Sequence, residues 1–255
     1  MRIGRVRTAE GARLVVVEED AVHALDGDPF QGTFRRGARI GAMDAVTWLP
    51  PCIPSKIVAV GRNYAEHARE HLAEVPPEPL IFLKPPSAVI GPGAPIRLPP
   101  QSRQVEHEAE LAVVIGRRGK DIPEGRAWEY VLGVTGGNDV TARDLQQRDG
   151  QWTRSKGFDT FCPLGPWIVT DLSPEEIRNL EILCRVNGEL RQHGKAHDMV
   201  FSIPTLIAFI SSVMTLEPGD VILTGTPAGV GPLRAGDWVE VEISGIGVLG
   251  NPVQA

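Results

Sequence analysis

The chain has 255 residues, 42% hydrophobic and 23% charged, and its 26 Lys and Arg against 32 Asp and Glu give a formal net charge of −6. A chain of this size and make-up buries a full core without staples, which excludes general disorder. No apolar stretch reaches the roughly 18 to 20 residues of a membrane-spanning helix, and the first twenty residues lack an apolar leader, which predicts a cytoplasmic protein with no membrane partner.

The opening residues read as short strands, Arg2 to Arg7, Arg13 to Glu18 and Ala21 to Leu25, with Gly11 and an Asp26-Gly27 turn between them. Of the 22 prolines, 12 fall between Pro50 and Pro100, so long helices are excluded there. The run LPPCIPS at 49–55 has the composition of a boundary. It predicts a small N-terminal β domain over residues 1–50 and a larger domain over 51–255. Lys56 to Val60 reads as a strand, and Asn63 to Glu74 as a helix stopped by Pro76 and Pro77. Leu80 to Lys84, Ala88 to Ile90, Glu108 to Gly116 and Tyr130 to Thr135 are strand-like. Ser173 and Glu176 form a capping-box pattern for a short helix from Pro174 to Leu180, and Ser202 with Pro204 starts an apolar helix from Ile203 to Met214. Two Gly-Asp turns, in LEPGDVILTG and LRAGDWVEVEI, each precede a β-run. No βαβ alternation appears, so the fold class is α+β and strand-dominated.

Cys52, Cys162 and Cys184 are odd in number and widely spaced, which points to buried small hydrophobes rather than a disulfide framework or a zinc site. Basic residues form no blocks and aromatics are only 5%, so nucleic acid is excluded as a partner and a small anionic molecule is expected. On a strand with a period of two, Glu108 and Glu110 of VEHEAELAVVIG share a face. An acidic edge in solvent is one reading; the apolar run that follows favours burial, and unpaired buried carboxylates are costly. Asp139 in GGNDVTARD adds a third carboxylate. Three carboxylates without Cys or His suit a hard cation such as Mg²⁺, although strand-end Asp residues also cap turns. In NYAEHARE, His67 and Glu70 share a helical face, either as a water-activating pair or as a solvated surface pair. Lys84 and Lys156 are candidates for steadying negative charge on a substrate, and LTGTPAGVGP can present hydroxyl and backbone donors to a carboxylate. Arg143, Arg148, Arg154 and Lys156 lie close together in sequence and suggest a local positive field.

Together these pieces resemble the fumarylacetoacetate hydrolase family over nearly all of residues 56 to 253. The matching segments run in order: VGRNYAEHARE, IFLKP, HEAELAVVIG, GGNDVTARDLQ, SKGFDTFCPLGPW, VNGELRQ, FSIPTLIAFIS, LEPGDVILTGTPAGVGP and VEVEISGIGVLGNPV. The resemblance implies mixed β-sheets rolled into a sandwich with short inserted helices, usually as a homodimer. It also implies one Mg²⁺ or Mn²⁺ on Glu108, Glu110 and Asp139, a base formed by His67 and Glu70, and a catalytic Lys156. Arg143, Gln146, Gly225 and Thr226 are the implied substrate-binding residues. The implied substrate is a small anionic 2-oxo acid, cleaved by hydrolysis or decarboxylation. Isomerisation of 2-hydroxyhepta-2,4-diene-1,7-dioate or a related enol is the alternative, and a metal-binding homologue without turnover is a third.

Overall fold

Leu111, Val113 and Ile115 of strand Ala109–Ile115 enter one core, while Ala112 and Val114 enter another on the opposite face. A strand buried on both faces needs an unbroken apolar run, which is how ELAVVIG reads. The computed structural model describes residues 1–70, 72 and 74–255. Strand Ala109–Ile115 pairs antiparallel with Val131–Asn138 on one side and Val221–Leu223 on the other. Beyond Val221–Leu223 come Ile57–Gly61, in parallel, and then Leu80–Lys84. On the other side Val131–Asn138 pairs with Cys162–Val169, which also pairs with Arg2–Thr8. The N-terminal strands therefore continue a twelve-stranded mixed sheet.

A five-stranded sheet, in the order Glu189–Lys195, Glu181–Val186, Trp238–Ile243, Gly247–Gln254 and Ile96–Arg97, packs over the centre of the large one. Ile182, Cys184, Val241 and Ile243 meet Leu111, Val113 and Val134 in the shared core. Each fully buried Val, Leu or Ile there contributes about 1.5–3 kcal/mol. Helix Ile203–Val213 closes this core with Leu206, Ile207 and Ile210, and Ser202 caps it by accepting from the Thr205 N–H. The capping box of Ser173 and Glu176 forms at helix Pro174–Arg178. The fold is a strand-dominated α+β sandwich, and all three cysteines are buried and free.

Three expected elements differ from the sequence reading. The Asp26-Gly27 turn is instead part of strand Ala21–Asp28, where Asp26 and Gly27 pair with Arg35 and Phe34 of the next strand. The helix expected over Asn63 to Glu74 is confined to Ala65–Glu70; residues 71 and 73 lie outside the described residues. Its start is held off because Asn63 is captured elsewhere: its side chain donates to the carbonyls of Phe201 and Thr224 and accepts from the Phe201 N–H. Leu72 then adopts a left-handed φ of 51°, which ends the helix. The strand expected to end at Thr135 continues through Gly136 and Gly137 to Asn138. Glycine weakens strands in general, but here a Cβ at Gly137 would lie 2.6 Å from Leu223 Cδ2 and one at Gly136 would lie 2.8 Å from the Gly165 carbonyl.

Candidate metal centre and active site

Glu108 and Asp139 occupy breaks in two paired strands. Val105–His107 and Thr141–Ala142 belong to a separate three-stranded sheet, whereas Ala109–Ile115 and Val131–Asn138 belong to the large sheet. Glu106 is opposite Thr141 on one side of the break and Ala109 opposite Asn138 on the other, a single register that sets Glu108 across from Asp139. The Asp139 N–H donates to the Glu108 carbonyl at 2.9 Å, and Asn138 Oδ1 accepts from the Glu108 N–H at 3.0 Å. Glu110, two residues on, projects from the same face. The three carboxylates are buried, and each offers an oxygen within 4.8 Å of the others.

Like charges placed opposite one another repel, so the cluster needs cations. Lys156 Nζ bridges it, donating to Glu108 Oε2 at 2.8 Å and Asp139 Oδ2 at 2.6 Å. Lys84 Nζ takes the other oxygen of Asp139 at 2.5 Å and also donates to the Val140 carbonyl. Arg143 holds Glu106 and Glu108 through Nε and Nη2, and its Nη1 donates to Gln146 Oε1. Burial disfavours the charged Glu108, but Lys156 and Arg143 outweigh it and hold the carboxyl well below its ordinary value. Lys156 is likewise disfavoured by burial, yet Asp139 and Glu108 raise its pKa, so it stays protonated.

Glu110 is the exception. Burial, then repulsion from Asp139 and Glu108, pushes its carboxyl well above the carboxylate range, and its Oε2 accepts from the Gly225 N–H at 2.7 Å. Four carboxylates, Glu106 included, face three cations here, and the shortfall falls on Glu110. An all-oxygen buried donor set short of positive charge fits a hard divalent cation. Glu108, Glu110 and Asp139 are the residues that can hold it.

His67 and Glu70 lie on helix Ala65–Glu70, with Nδ1 to Oε2 at 3.4 Å. Glu70 is tied to the glycine-rich loop, because the Gly229 N–H donates to its Oε1 at 3.1 Å. The buried His67 ring, the carboxylate triad, Lys156, Gln146 and Thr226 line one cavity of about 170 Å³. Two of the candidate groups are spent within the protein. The Gly225 amide holds Glu110, and the Thr226 hydroxyl donates to the Ala109 carbonyl at 2.7 Å. With its oxygen on Arg143, Gln146 has both N–H groups free of a partner among the described residues and able to serve the cavity. Arg148 and Arg154 do not line the cavity; both pair with Asp149 at the surface, so the positive field expected from four cations comes from Arg143 and Lys156 together with Lys84 and with Arg62, which also lines the cavity.

Two site residues were missed as individuals. Glu106 obeys the same period of two as Glu108 and Glu110, which is the signal that could have found it. Gln192, in VNGELRQ, has no local signal. Its Oε1 accepts from the Ala109 N–H at 3.0 Å and faces His107 Nδ1 at 2.9 Å, while its Nε2 donates to Thr226 Oγ1 and the Pro227 carbonyl, both at 2.7 Å. One buried amide thus ties the Glu-x-Glu strand to the loop that carries Gly225.

Residues 56–254 match the family described as fumarylacetoacetate hydrolase, C-terminal, and residues 1–51 match one described as Rv2993c-like, N-terminal. A solved structure named 5-carboxymethyl-2-hydroxymuconate delta-isomerase, from Mycobacterium smegmatis, is 48% identical, with a TM-score of 0.92 over 100% of this chain and 99% of that one. Another, named 2-hydroxyhepta-2,4-diene-1,7-dioate isomerase, from Mycobacterium marinum, is 46% identical, with a TM-score of 0.90 over 100% and 98%. A Bos taurus protein named oxaloacetate tautomerase FAHD2B, mitochondrial, is 51% identical over 218 residues, which are 82% of this chain and 69% of that protein. Among the described residues no helix is long and apolar enough to cross a membrane. The family match, the shared fold and the buried acidic cluster lead to one conclusion: the chain is an enzyme of the fumarylacetoacetate hydrolase family.

Proposed function

We propose that the chain interconverts the enol and keto forms of small dicarboxylic 2-oxo acids, with Mg²⁺ or Mn²⁺ as cofactor. The observation that carries this reading is the buried carboxylate triad opening onto a cavity shared with Lys156 and the His67–Glu70 pair. The names isomerase and tautomerase, borne by relatives about half identical to this chain, support it. A cation held by Glu108, Glu110 and Asp139 would supply Lewis-acid polarisation of the substrate's oxygens.

The chain's own residues supply the rest. Lys156, kept protonated by two carboxylates, is a fixed positive charge beside the triad and serves as an electrostatic partner for a developing enolate rather than as a base. That leaves His67 to carry the proton, since imidazole both accepts and donates near neutral pH. Glu70 orients the ring through Nδ1, and Gly229 steadies Glu70. Gln146 presents N–H groups to the substrate carboxylate, while Gly225 and Thr226 set the position of Glu110 and the wall of the cavity.

The intact His67–Glu70 pair also favours a second reading, in which it activates water to hydrolyse an acylpyruvate to pyruvate and a carboxylic acid, or protonates the pyruvate enolate left when the distal carboxylate of oxaloacetate departs as CO₂. The two readings separate in one experiment. The enol absorbance of freshly dissolved oxaloacetate is followed with Mg²⁺ and with EDTA, and pyruvate is measured by a coupled dehydrogenase. Tautomerisation predicts a faster absorbance decay that EDTA suppresses, without pyruvate above background. Pyruvate formed in step with the decay would install the second reading, and no acceleration with any 2-oxo acid would remove both. Assembly as a homodimer is part of the proposal, tested by light scattering.

A further inference from the structure

Lys84, Lys156 and Arg143 are all committed to carboxylates of the buried cluster. Arg62 also lines the cavity and, among the described residues, has no carboxylate partner. Its guanidinium carbon lies 5.8 Å from the centre of the Trp152 ring. Trp152 meets Phe82 edge to face at 5.1 Å, and the other neighbour of Phe82 is Lys156 Nζ, 5.0 Å from its centroid. Successive contacts therefore run from Lys156 at the triad through Phe82 and Trp152 to a second positive charge, Arg62, in the lining of the same cavity. Such pairs hold a cation in place without neutralising it.

The backbone fixes Arg62 where it stands. Its φ is 59°, in the left-handed region, and the next residue, Asn63, is buried and held by three side-chain hydrogen bonds. Gly61, on its other side, gives Trp152 room: a Cβ there would lie 2.6 Å from Trp152 Cζ3. The position is built, and the charge is unspent.

We propose that Arg62 is the receptor for a second carboxylate of the substrate, and that it selects diacids whose carbon chain passes along Phe82 and Trp152. This rests on the reading of the triad as the site for a 2-oxo acid head. A guanidinium presents a fork of N–H donors to a carboxylate, and the two rings give the intervening carbons an apolar wall. Arg62 is then a specificity residue, with the chemistry left to His67 and Lys156.

Calorimetric titration of the Mg²⁺-supplemented protein with three probes tests this: oxalate, which has the head alone; 2-oxoadipate, which adds a distal carboxylate; and the distal monomethyl ester of 2-oxoadipate. Wild type is expected to bind the diacid about tenfold or more tighter than its ester. Arg62→Gln should abolish that difference and leave oxalate binding within about twofold, since oxalate carries no distal carboxylate, while Arg62→Lys should restore part of it. Gly61→Ala, which displaces Trp152, should weaken the diacid alone. Equal binding of diacid and ester by wild type, or a difference that survives in Arg62→Gln, overturns the assignment while the head site stands. Loss of oxalate binding in Arg62→Gln together with the diacid also overturns it, because the residue would then serve the fold or the head site. If wild type binds no probe, the 2-oxo acid reading itself fails, and this inference with it.

Discussion

Lys84 Nζ and Asp139 Oδ1 lie 2.5 Å apart although 55 residues separate them in the chain. Lys84 closes strand Leu80–Lys84, separated by two strands from Ala109–Ile115 in the large sheet, and reaches the point where Asp139 leaves that sheet. With Lys156 on its Oδ2, Asp139 has a cation on each oxygen, which fixes its carboxylate without help from an ion. Breaking a buried pair leaves one charge uncompensated. Lys84→Met is therefore expected to destabilise the protein by about 3–5 kcal/mol, read by denaturant unfolding. Replacing both partners, Lys84→Met with Asp139→Asn, should cost less than the single change, and additive losses would contradict the pairing.

Glu110 sets a pH dependence. Burial and the repulsion of Asp139 and Glu108 raise its folded-state value, while the unfolded chain loses the same proton near 4.5. Stability from this group is thus complete below that value and is lost as pH rises toward the raised folded one. Glu108 has the opposite sign: held low by Lys156 and Arg143 against burial, its contribution is present above 4.5 and is lost as pH falls. In EDTA, the melting temperature of wild type should fall progressively relative to Glu110→Gln across the pH range above 4.5. Added Mg²⁺ should raise it more at the upper end, where Glu110 yields its proton more readily. A constant gap between the two proteins across that range would remove Glu110 as the uncompensated carboxylate.

His67→Ala should lower kcat by about 10² or more, with little change in melting temperature or in the affinity for Mg²⁺. Glu70→Gln should lower kcat less and shift the pH–rate profile, because it removes the carboxylate that orients the ring but keeps the acceptor for Gly229. Turnover of His67→Ala at the wild-type rate would show that the proton travels by another route.

Gln192→Leu keeps the approximate size of the side chain and leaves the Ala109 N–H and the Pro227 carbonyl without their partner. Each buried group so orphaned costs about 1–3 kcal/mol. The variant should lose stability on that scale and bind Mg²⁺ more weakly, since Gln192 links the Glu110 strand to the loop whose Gly225 N–H holds Glu110. Isothermal titration with Mg²⁺ and urea unfolding report the two effects separately. A loss of stability with unchanged Mg²⁺ affinity would confine Gln192 to the fold.

Elements whose cause is local were legible in the sequence. The period of two placed Glu108 and Glu110 on one face, the unbroken apolar run gave a strand buried on both sides, and Ser173 with Glu176 marked a helix start, because neighbours along the chain decide each of these. The ordered run of family segments carried the metal-ligand and His67–Glu70 assignments beyond what spacing alone supports. Tertiary structure decided the remainder. Asn63 left the expected helix because Phe201 and Thr224 offered it better hydrogen bonds. Gly136 and Gly137 stayed in a strand because no side chain fits there. Arg148 and Arg154 turned away to Asp149, Gly225 was spent on Glu110, and Lys84, Gln192 and Arg62 arrived at the site from distant segments. A sequence lists which charges are available, but which charge faces which is fixed only when strands far apart in the chain are brought side by side, and in this buried site that pairing holds Glu108 ionised and leaves Glu110 short of a cation.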